Sequence, residues 1–180
     1  MKRSEQLSKL NETKEWDVII IGGGASGLGT ALDAASRGYK TIMVEAVDFA
    51  KGTSSRSTKL VHGGVRYLEQ GDISLVKEAL KERGLMAQNA GHVVKNQTFV
   101  IPNYNWWGGY FYTIGLTVYD LLAGRLSLGR SKYISKKKTI ELLPTVEQKG
   151  LVSGVIYHDG QFDDSRLAIN LAQTAVEKGA

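Results

Sequence analysis

Apolar and polar positions alternate along this chain with a period that changes from segment to segment. The first fifteen residues are mostly polar and carry no period, so they predict a loose arm over 1–15. Over 17–21 the run Asp-Val-Ile-Ile-Ile is apolar, β-branched and closed by three glycines, the pattern of a fully buried parallel strand. Leu28, Ala31, Leu32 and Ala35 then recur at helical spacing over 26–37, and Gly38 stands where a left-handed residue ends a helix. Residues 39–45 are again apolar and finish on Glu45. Strand, glycine turn, helix and strand make a βαβ unit.

Beyond it, a loop of small residues over 52–64 leads to a helix capped by Asp72, with Ile73, Val76, Leu80, Leu85 and Met86 as its apolar stripe. Short strands are expected at 98–101, closed by Pro102, and at 151–157, closed by Asp159 and Gly160. A last helix starts at Asp163 or Asp164, buries Leu167, Leu171 and Ala175, and stops at Gly179. Between Lys95 and Asp120 no residue is charged, and Trp106, Trp107, Tyr110, Phe111, Tyr112 and Tyr119 lie in that stretch. Pro102, Asn103, Asn105, Gly108 and Gly109 interrupt it, which leaves fewer than the ~20 continuous apolar residues that a spanning helix needs. The expectation is a helix over 109–122 whose aromatic rings fill a domain core, ahead of one lying in a membrane surface.

With 180 residues, 42% of them hydrophobic, the chain can build one globular core. The absence of cysteine excludes disulfides and thiolate metal sites. It also permits a reducing compartment, and no apolar run follows Met1, so the cytoplasm is the default. A net charge of +5 suits nucleic acid, an anionic surface or an anionic substrate alike. The cations are scattered except for Lys136, Lys137 and Lys138 near Arg130 and Lys132, without a nucleic-acid-binding signature, so no nucleic-acid partner is expected. His92 and His158 have no partner at ligand spacing, and no metal site is expected.

The chemistry concentrates in Gly22-Gly23-Gly24-Ala25-Ser26-Gly27, a Gly-x-Gly-x-x-Gly spacing with a strand before it and a helix after it. Gly22 allows the tight turn, Gly24 lets the backbone approach a pyrophosphate, and Gly27 lets helix and strand pack closely. The helix N-terminus offers free N–H groups and partial positive charge to phosphates. Glu45, at the end of the second strand, can accept hydrogen bonds from ribose hydroxyls. A dinucleotide is therefore expected, FAD or NAD, since both present adenosine diphosphate to such a turn. Residues 53–59 add five hydroxyls and two cations, Thr53-Ser54-Ser55-Arg56-Ser57-Thr58-Lys59, where a ligand crossing the strand ends would continue.

Ile21 to Gly27, Ala31-Leu32-Asp33, Arg37-Gly38 and the long run from Thr53 through His62-Gly63-Gly64-Val65-Arg66-Tyr67 to Glu69 are similar to FAD-dependent glycerol-3-phosphate dehydrogenases. Gly115, Tyr119-Asp120 and Asp163-Asp164-Ser165-Arg166-Leu167 agree, so the likeness runs from about Trp16 to the end. Leu28 departs from it, being bulkier than the small residue usual after the third glycine. The resemblance implies an α/β fold: a three-layer, Rossmann-like FAD-binding domain of the glutathione-reductase type with the start of a β-rich substrate region inserted, in a chain that stops short of the whole. It implies a flavin-binding part over 16–90, a substrate-domain segment over 91–160 and a helix over 161–180 that returns to the first part. FAD would take a hydride from C2 of sn-glycerol 3-phosphate, giving dihydroxyacetone phosphate, and pass the electrons to a quinone. Gly22, Gly24, Ala25, Ser26, Gly27, Glu45, Ala46, Thr53, Ser54, Ser57, Thr58, Lys59, Leu60, His62 and Gly63 would hold the FAD. Arg66 and Tyr67 would face the substrate, a guanidinium being suited to a phosphate dianion. The resemblance places no catalytic residue in this segment, the family's base lying beyond it. It admits peripheral contact with the inner face of the cell membrane and a homodimer of the full-length protein. On the residues alone two rivals stay open: another flavin oxidoreductase of this fold, acting on an amine or hydroxy acid or using oxygen, and a non-catalytic dinucleotide-binding module.

Overall fold

The computed structural model describes residues 2–180, apart from the side chains of Arg66 and Glu69. The chain divides into two compact units, one formed by the segments up to Lys59 and from Asp163 to Ala180, the other by Leu60–Phe162. The division falls at 59/60, so 60–90 groups with the second unit and not with the first βαβ unit.

In the first unit β1 (Val18–Ile21) pairs in parallel with β2 (Thr41–Val44), Val18 opposite Thr41 and Ile21 opposite Val44. The crossover is α2 (Ala25–Ser36), which ends beside the left-handed Gly38 as its sequence requires. The closing helix α7 (Asp164–Glu177) packs on α2, with Leu28, Ala50, Ala168 and Ala172 at the centre and Met43, Phe49 and Leu171 around them. Its buried positions are Asp164, Ala168, Ala172 and Ala175, one step round the helix from the Leu167–Leu171 stripe, because alanines let two helices approach more closely than leucines do.

Two expectations change here. Residues 3–12 form a helix, α1 (Arg3–Glu12), in place of an unstructured arm. None of its residues is buried, and Lys9 Nζ donates to the carbonyls of Gly179 and Ala180, a contact that no hydrophobic period announces. Strand β1 is buried on one face only: Ile19 and Ile21 are 66% and 86% exposed. A parallel strand is covered on both faces only where helices pack on both; among the described residues α2 meets the face that carries Ile20, while Ile19 and Ile21 lie on the other.

The second unit is built on β6 (Ser153–Phe162), flanked on one side by antiparallel β4 (Val94–Asn103) and on the other by β3 (Leu60–Val61) and β5 (Lys132–Ser135). Both long strands overrun their expected ends. Pro102 lies inside β4, opposite Gly154, which is tolerated because β4 is an edge strand among the described residues and lacks a second ladder needing that N–H. Asp159 and Gly160 continue β6, because β4 pairs with them across one side and β3 with Gly160 across the other.

Against this sheet lie α3 (Val65–Glu69), α4 (Ile73–Asn89) and α5 (Trp106–Ala123), with Val76, Leu80, Tyr119 and Ala123 as their core. Asp72 caps α4 as expected, its side chain accepting from Leu75 N at 3.0 Å. The short α6 (Lys136–Leu142) is capped by Ser135. Helix α5 buries only Tyr119 of its aromatic rings completely, not the set that was expected. Trp106, Trp107, Tyr110 and Phe111 are all more than half exposed, and the buried face is made by Gly109, Leu116, Tyr119 and Ala123, because small residues let α5 sit close to the sheet. Gly109 lies against Tyr133 and Ser153 of β5 and β6 with no room for a larger residue. No helix among the described residues is long and apolar enough to cross a membrane.

Candidate functional site

The glycine turn is shaped by two close approaches. Gly22 donates to the Val44 carbonyl at 2.8 Å with φ +106°, a conformation that favours glycine. A Cβ on Gly27 would stand 1.9 Å from the Gly22 carbonyl oxygen, so helix and turn can meet only without one. The N-cap of α2 is Gly24, which brings no side chain, and the first turn contains no acidic residue. Exposed Ala25 and Ser26 follow. The positive end of α2 is therefore set up for an anion, with Ser54 Oγ accepting from Ala25 N at 2.9 Å beside it.

Glu45 is brought to this turn by the register of β1 and β2. Gly23 N donates to one carboxylate oxygen at 2.7 Å and Val47 N to the other at 2.8 Å. Those backbone bonds, Gly23's first, hold its pKa below the ordinary carboxylate value. Each oxygen keeps a lone pair for a hydroxyl. Ala46 follows it, exposed. The pieces fit an adenosine diphosphate: an unneutralised helix N-terminus for the pyrophosphate, and a fixed anionic acceptor one strand away for the ribose.

The hydroxyl-rich loop has a different organisation from a row of ligand donors. Thr53, Ser54 and Ser55 form a short 3-10 turn, and Lys59 adopts φ +62°. Asp164, buried at the start of α7, accepts from Ser57 N at 3.1 Å, from Ser57 Oγ at 2.8 Å and from Lys59 Nζ, which also donates to the Ser55 carbonyl. Burial alone would raise the Asp164 carboxyl, but the Lys59 ammonium and the two Ser57 donors outweigh it and hold it well below the usual range. Ser57 and Lys59 are thus engaged by Asp164, whereas Thr53 and Thr58 are exposed. Asp164 carried one signal in the sequence: two aspartates begin α7, and Asp163 alone caps it, accepting from Arg166 N at 2.9 Å.

Within the second unit, Leu60, His62, Tyr67, Phe99, Tyr157 and Asp159 line a cleft of about 380 Å³. Phe99 and Tyr157 stack at 5.1 Å across β4 and β6. Exposed His62 accepts on Nδ1 from Gly64 N at 3.1 Å, which assigns its proton to Nε2 and leaves that N–H as a donor. Tyr67 is 41% exposed. Arg66 falls in α3, and its side chain lies outside the described residues.

Gly63, by contrast, is buried, and its N–H donates to the Tyr119 hydroxyl at 2.7 Å. Behind that hydroxyl, Arg83 Nη1 pairs with Asp159 at 2.7 Å, both side chains almost wholly buried. The one signal for Arg83 was its place in α4, three residues beyond Leu80 on the apolar face, where a solvated arginine has no room. In the sequence Asp159 reads as a strand-closing residue, and Tyr119 carries the resemblance but no signal of this network. Among the described residues no three metal-ligating side chains gather.

The family model described as DAO, FAD dependent oxidoreductase, matches residues 17–180. The chain is 45% identical to the mitochondrial glycerol-3-phosphate dehydrogenase of Rattus norvegicus, covering 99% of this chain and 25% of that protein. It is 45% identical to the mitochondrial enzyme of Saccharomyces cerevisiae, covering 100% and 29%. The crystal structure of the glycerol-3-phosphate dehydrogenase from Bacillus halodurans complexed with FAD superposes with a TM-score of 0.70 at 34% identity, covering 99% of this chain and 28% of that one. The L-proline dehydrogenase of P. horikoshii, at 18% identity and a TM-score of 0.71, shares the fold. This chain spans about a quarter of the length of the curated relatives it matches.

Proposed function

Because the chain belongs to the FAD dependent oxidoreductase family, we propose that it forms the flavin-binding part of an enzyme that oxidises sn-glycerol 3-phosphate to dihydroxyacetone phosphate and passes the electrons to a quinone. The observation that carries the reading is the turn from Gly22 to Gly27, with its bare N-cap Gly24 and the Glu45 carboxylate fixed beside it. The substrate is supported by the names of the relatives at 44–47% identity, all glycerol-3-phosphate dehydrogenases.

The residues take the following parts. The Ala25 and Ser26 amides and the α2 N-terminus hold the pyrophosphate, and Ser54 turns from Ala25 toward it. Glu45 takes the ribose hydroxyls, with Ala46 against the adenosine. Asp164 shapes residues 53–59 through Ser57 and Lys59, which leaves Thr53 and Thr58 free to meet the cofactor. Leu60 and His62 face the flavin, His62 through its Nε2–H, while Gly63, expected beside them, is held against the Tyr119 core, and Arg66 and Tyr67 receive the phosphate end of the substrate. FAD, when bound, supplies the hydride acceptor that no side chain can. The C2 hydroxyl loses its proton to a base outside this segment, so residues 1–180 alone do not turn over the substrate. A lipid-soluble acceptor calls for peripheral contact of the whole enzyme with the inner face of the membrane, where a homodimer is compatible with every residue assigned here.

The test uses the full-length gene product. Purified, it should carry FAD, be bleached anaerobically by glycerol 3-phosphate and recover its colour with a soluble quinone. A colourless protein sinks the flavin assignment. Bleaching by an amine or hydroxy acid but not by glycerol 3-phosphate would move the reading to another oxidoreductase of this fold.

A further inference from the structure

A charged pair buried as deeply as Arg83 and Asp159 is rarely the most stabilising choice for a core, since desolvation offsets much of the attraction. Arg83 is 3% exposed, Asp159 4% and Tyr119 1%, and the three form one network. Tyr119 donates to Asp159 at 3.1 Å, Arg83 donates to Asp159 at 2.7 Å, and the guanidinium lies 5.6 Å from the Tyr119 ring centre. With its proton directed at Asp159, the Tyr119 oxygen accepts from the Gly63 N–H at 2.7 Å and, at a longer 3.4 Å, from Arg83 Nη1. Burial first, then the Asp159 charge, pushes the phenol well above its ordinary value, so this donor–acceptor order holds across the working pH range.

Gly63 is pressed onto this network. A Cβ there would stand 2.5 Å from the Tyr119 hydroxyl and 2.4 Å from Leu80, both parts of the α4–α5 core. One residue before it is exposed His62; after it, left-handed Gly64 starts α3, which carries Arg66 and Tyr67. The hydroxyl therefore grips the middle of the segment whose flanks point into the cleft.

We propose that Tyr119, backed by Asp159 and Arg83, is a positioning residue for the reaction: it holds the Gly63 amide and so fixes where His62 and Tyr67 stand. The inference rests on the reading that this segment meets flavin and substrate. It assigns no chemistry to the three buried side chains themselves.

The test is Tyr119→Phe in the full-length enzyme, which removes one oxygen and leaves the Arg83–Asp159 pair in place. Flavin content should stay near wild type, while the anaerobic rate of flavin reduction at saturating glycerol 3-phosphate falls about 10- to 100-fold, the usual cost of a small misplacement of reacting groups. The double variant Asp159→Asn with Arg83→Met removes both charges together, so neither is left buried and unpaired, and should show the same loss, which serves if Tyr119→Phe folds poorly. Val76→Ala, a cavity in the same core, controls for lost stability and should lower the melting temperature without lowering that rate. Combined with His62→Ala, Tyr119→Phe should add little further loss, since both act through one segment. A wild-type reduction rate in folded Tyr119→Phe and in the folded double variant, or fully additive losses with His62→Ala, would overturn the inference and leave the function standing. A wild-type enzyme that holds no flavin would overturn both.

Discussion

At the scale of single residues, three glycines at the start of α2 separate packing from cofactor binding. Gly27 cannot carry a Cβ without striking the Gly22 carbonyl at 1.9 Å, so Gly27→Ala should destabilise the first unit outright, read as loss of the cooperative thermal transition. Gly29, two residues on and with nothing within 4 Å of its would-be Cβ, should behave oppositely. Gly29→Ala is expected to stabilise by about 0.5–1 kcal/mol, the ordinary gain of alanine over glycine inside a helix. Gly24→Val is a third case. Its Cβ meets only the Ser54 hydroxyl oxygen, at 3.2 Å, so the fold should survive while the bulk over the α2 N-terminus expels the proposed cofactor. A purified full-length Gly24→Val with undiminished flavin content would show that the phosphates do not lie there.

At the scale of elements, the loop over 53–59 and helix α7 are joined through Asp164, and that joint makes a pH prediction. The native carboxyl is held below its ordinary value of 3.8, so the unfolded chain binds a proton where the native chain does not. The contribution is fully present above the ordinary value and is lost as pH falls from there through the depressed native pKa. Wild type should therefore exceed Asp164→Asn in denaturant stability at neutral pH, with the gap closing progressively below about pH 4. A gap that stays constant down to pH 2 would mean that the interaction with Lys59 and Ser57 carries no net stabilisation. Legibility at this scale followed the local signals. The βαβ order, the Asp72 cap and the Gly38 terminus were all legible, because each depends on neighbours within one or two turns. The overrun of Pro102 in β4 and of Asp159 and Gly160 in β6 was not, because a partner strand far along the chain overrides a local breaker.

For the molecule as a whole, the first unit is discontinuous in sequence, with the second inserted between Lys59 and Asp163. The apolar surface is unusually open for 180 residues: Ile19 and Ile21 on β1, and Trp106, Trp107, Phe111, Ile114 and Leu121 along α5, are each at least 62% exposed. Surface of that kind drives association. Residues 1–180 expressed alone should self-associate at micromolar concentration, and replacing Trp107 and Phe111 together with Gln should reduce this in sedimentation experiments without lowering the melting temperature. A monomeric wild-type segment would show that the face is satisfied in some other way.

The sequence by itself determined what short-range physics can carry. The spacing Gly22, Gly24 and Gly27 between an apolar strand and a helix, with Glu45 ending the next strand, announces a dinucleotide turn, because the same few residues make both the bend and the contact. Tertiary structure alone decided the partners of charged and polar side chains. Ser57 and Lys59 are met by Asp164 from more than a hundred residues away, and Gly63 by Tyr119, itself backed by Arg83 and Asp159, so that two helices and a strand converge there. No periodicity encodes such meetings, since a buried charge is stable only where the fold brings its counterpart within hydrogen-bond reach.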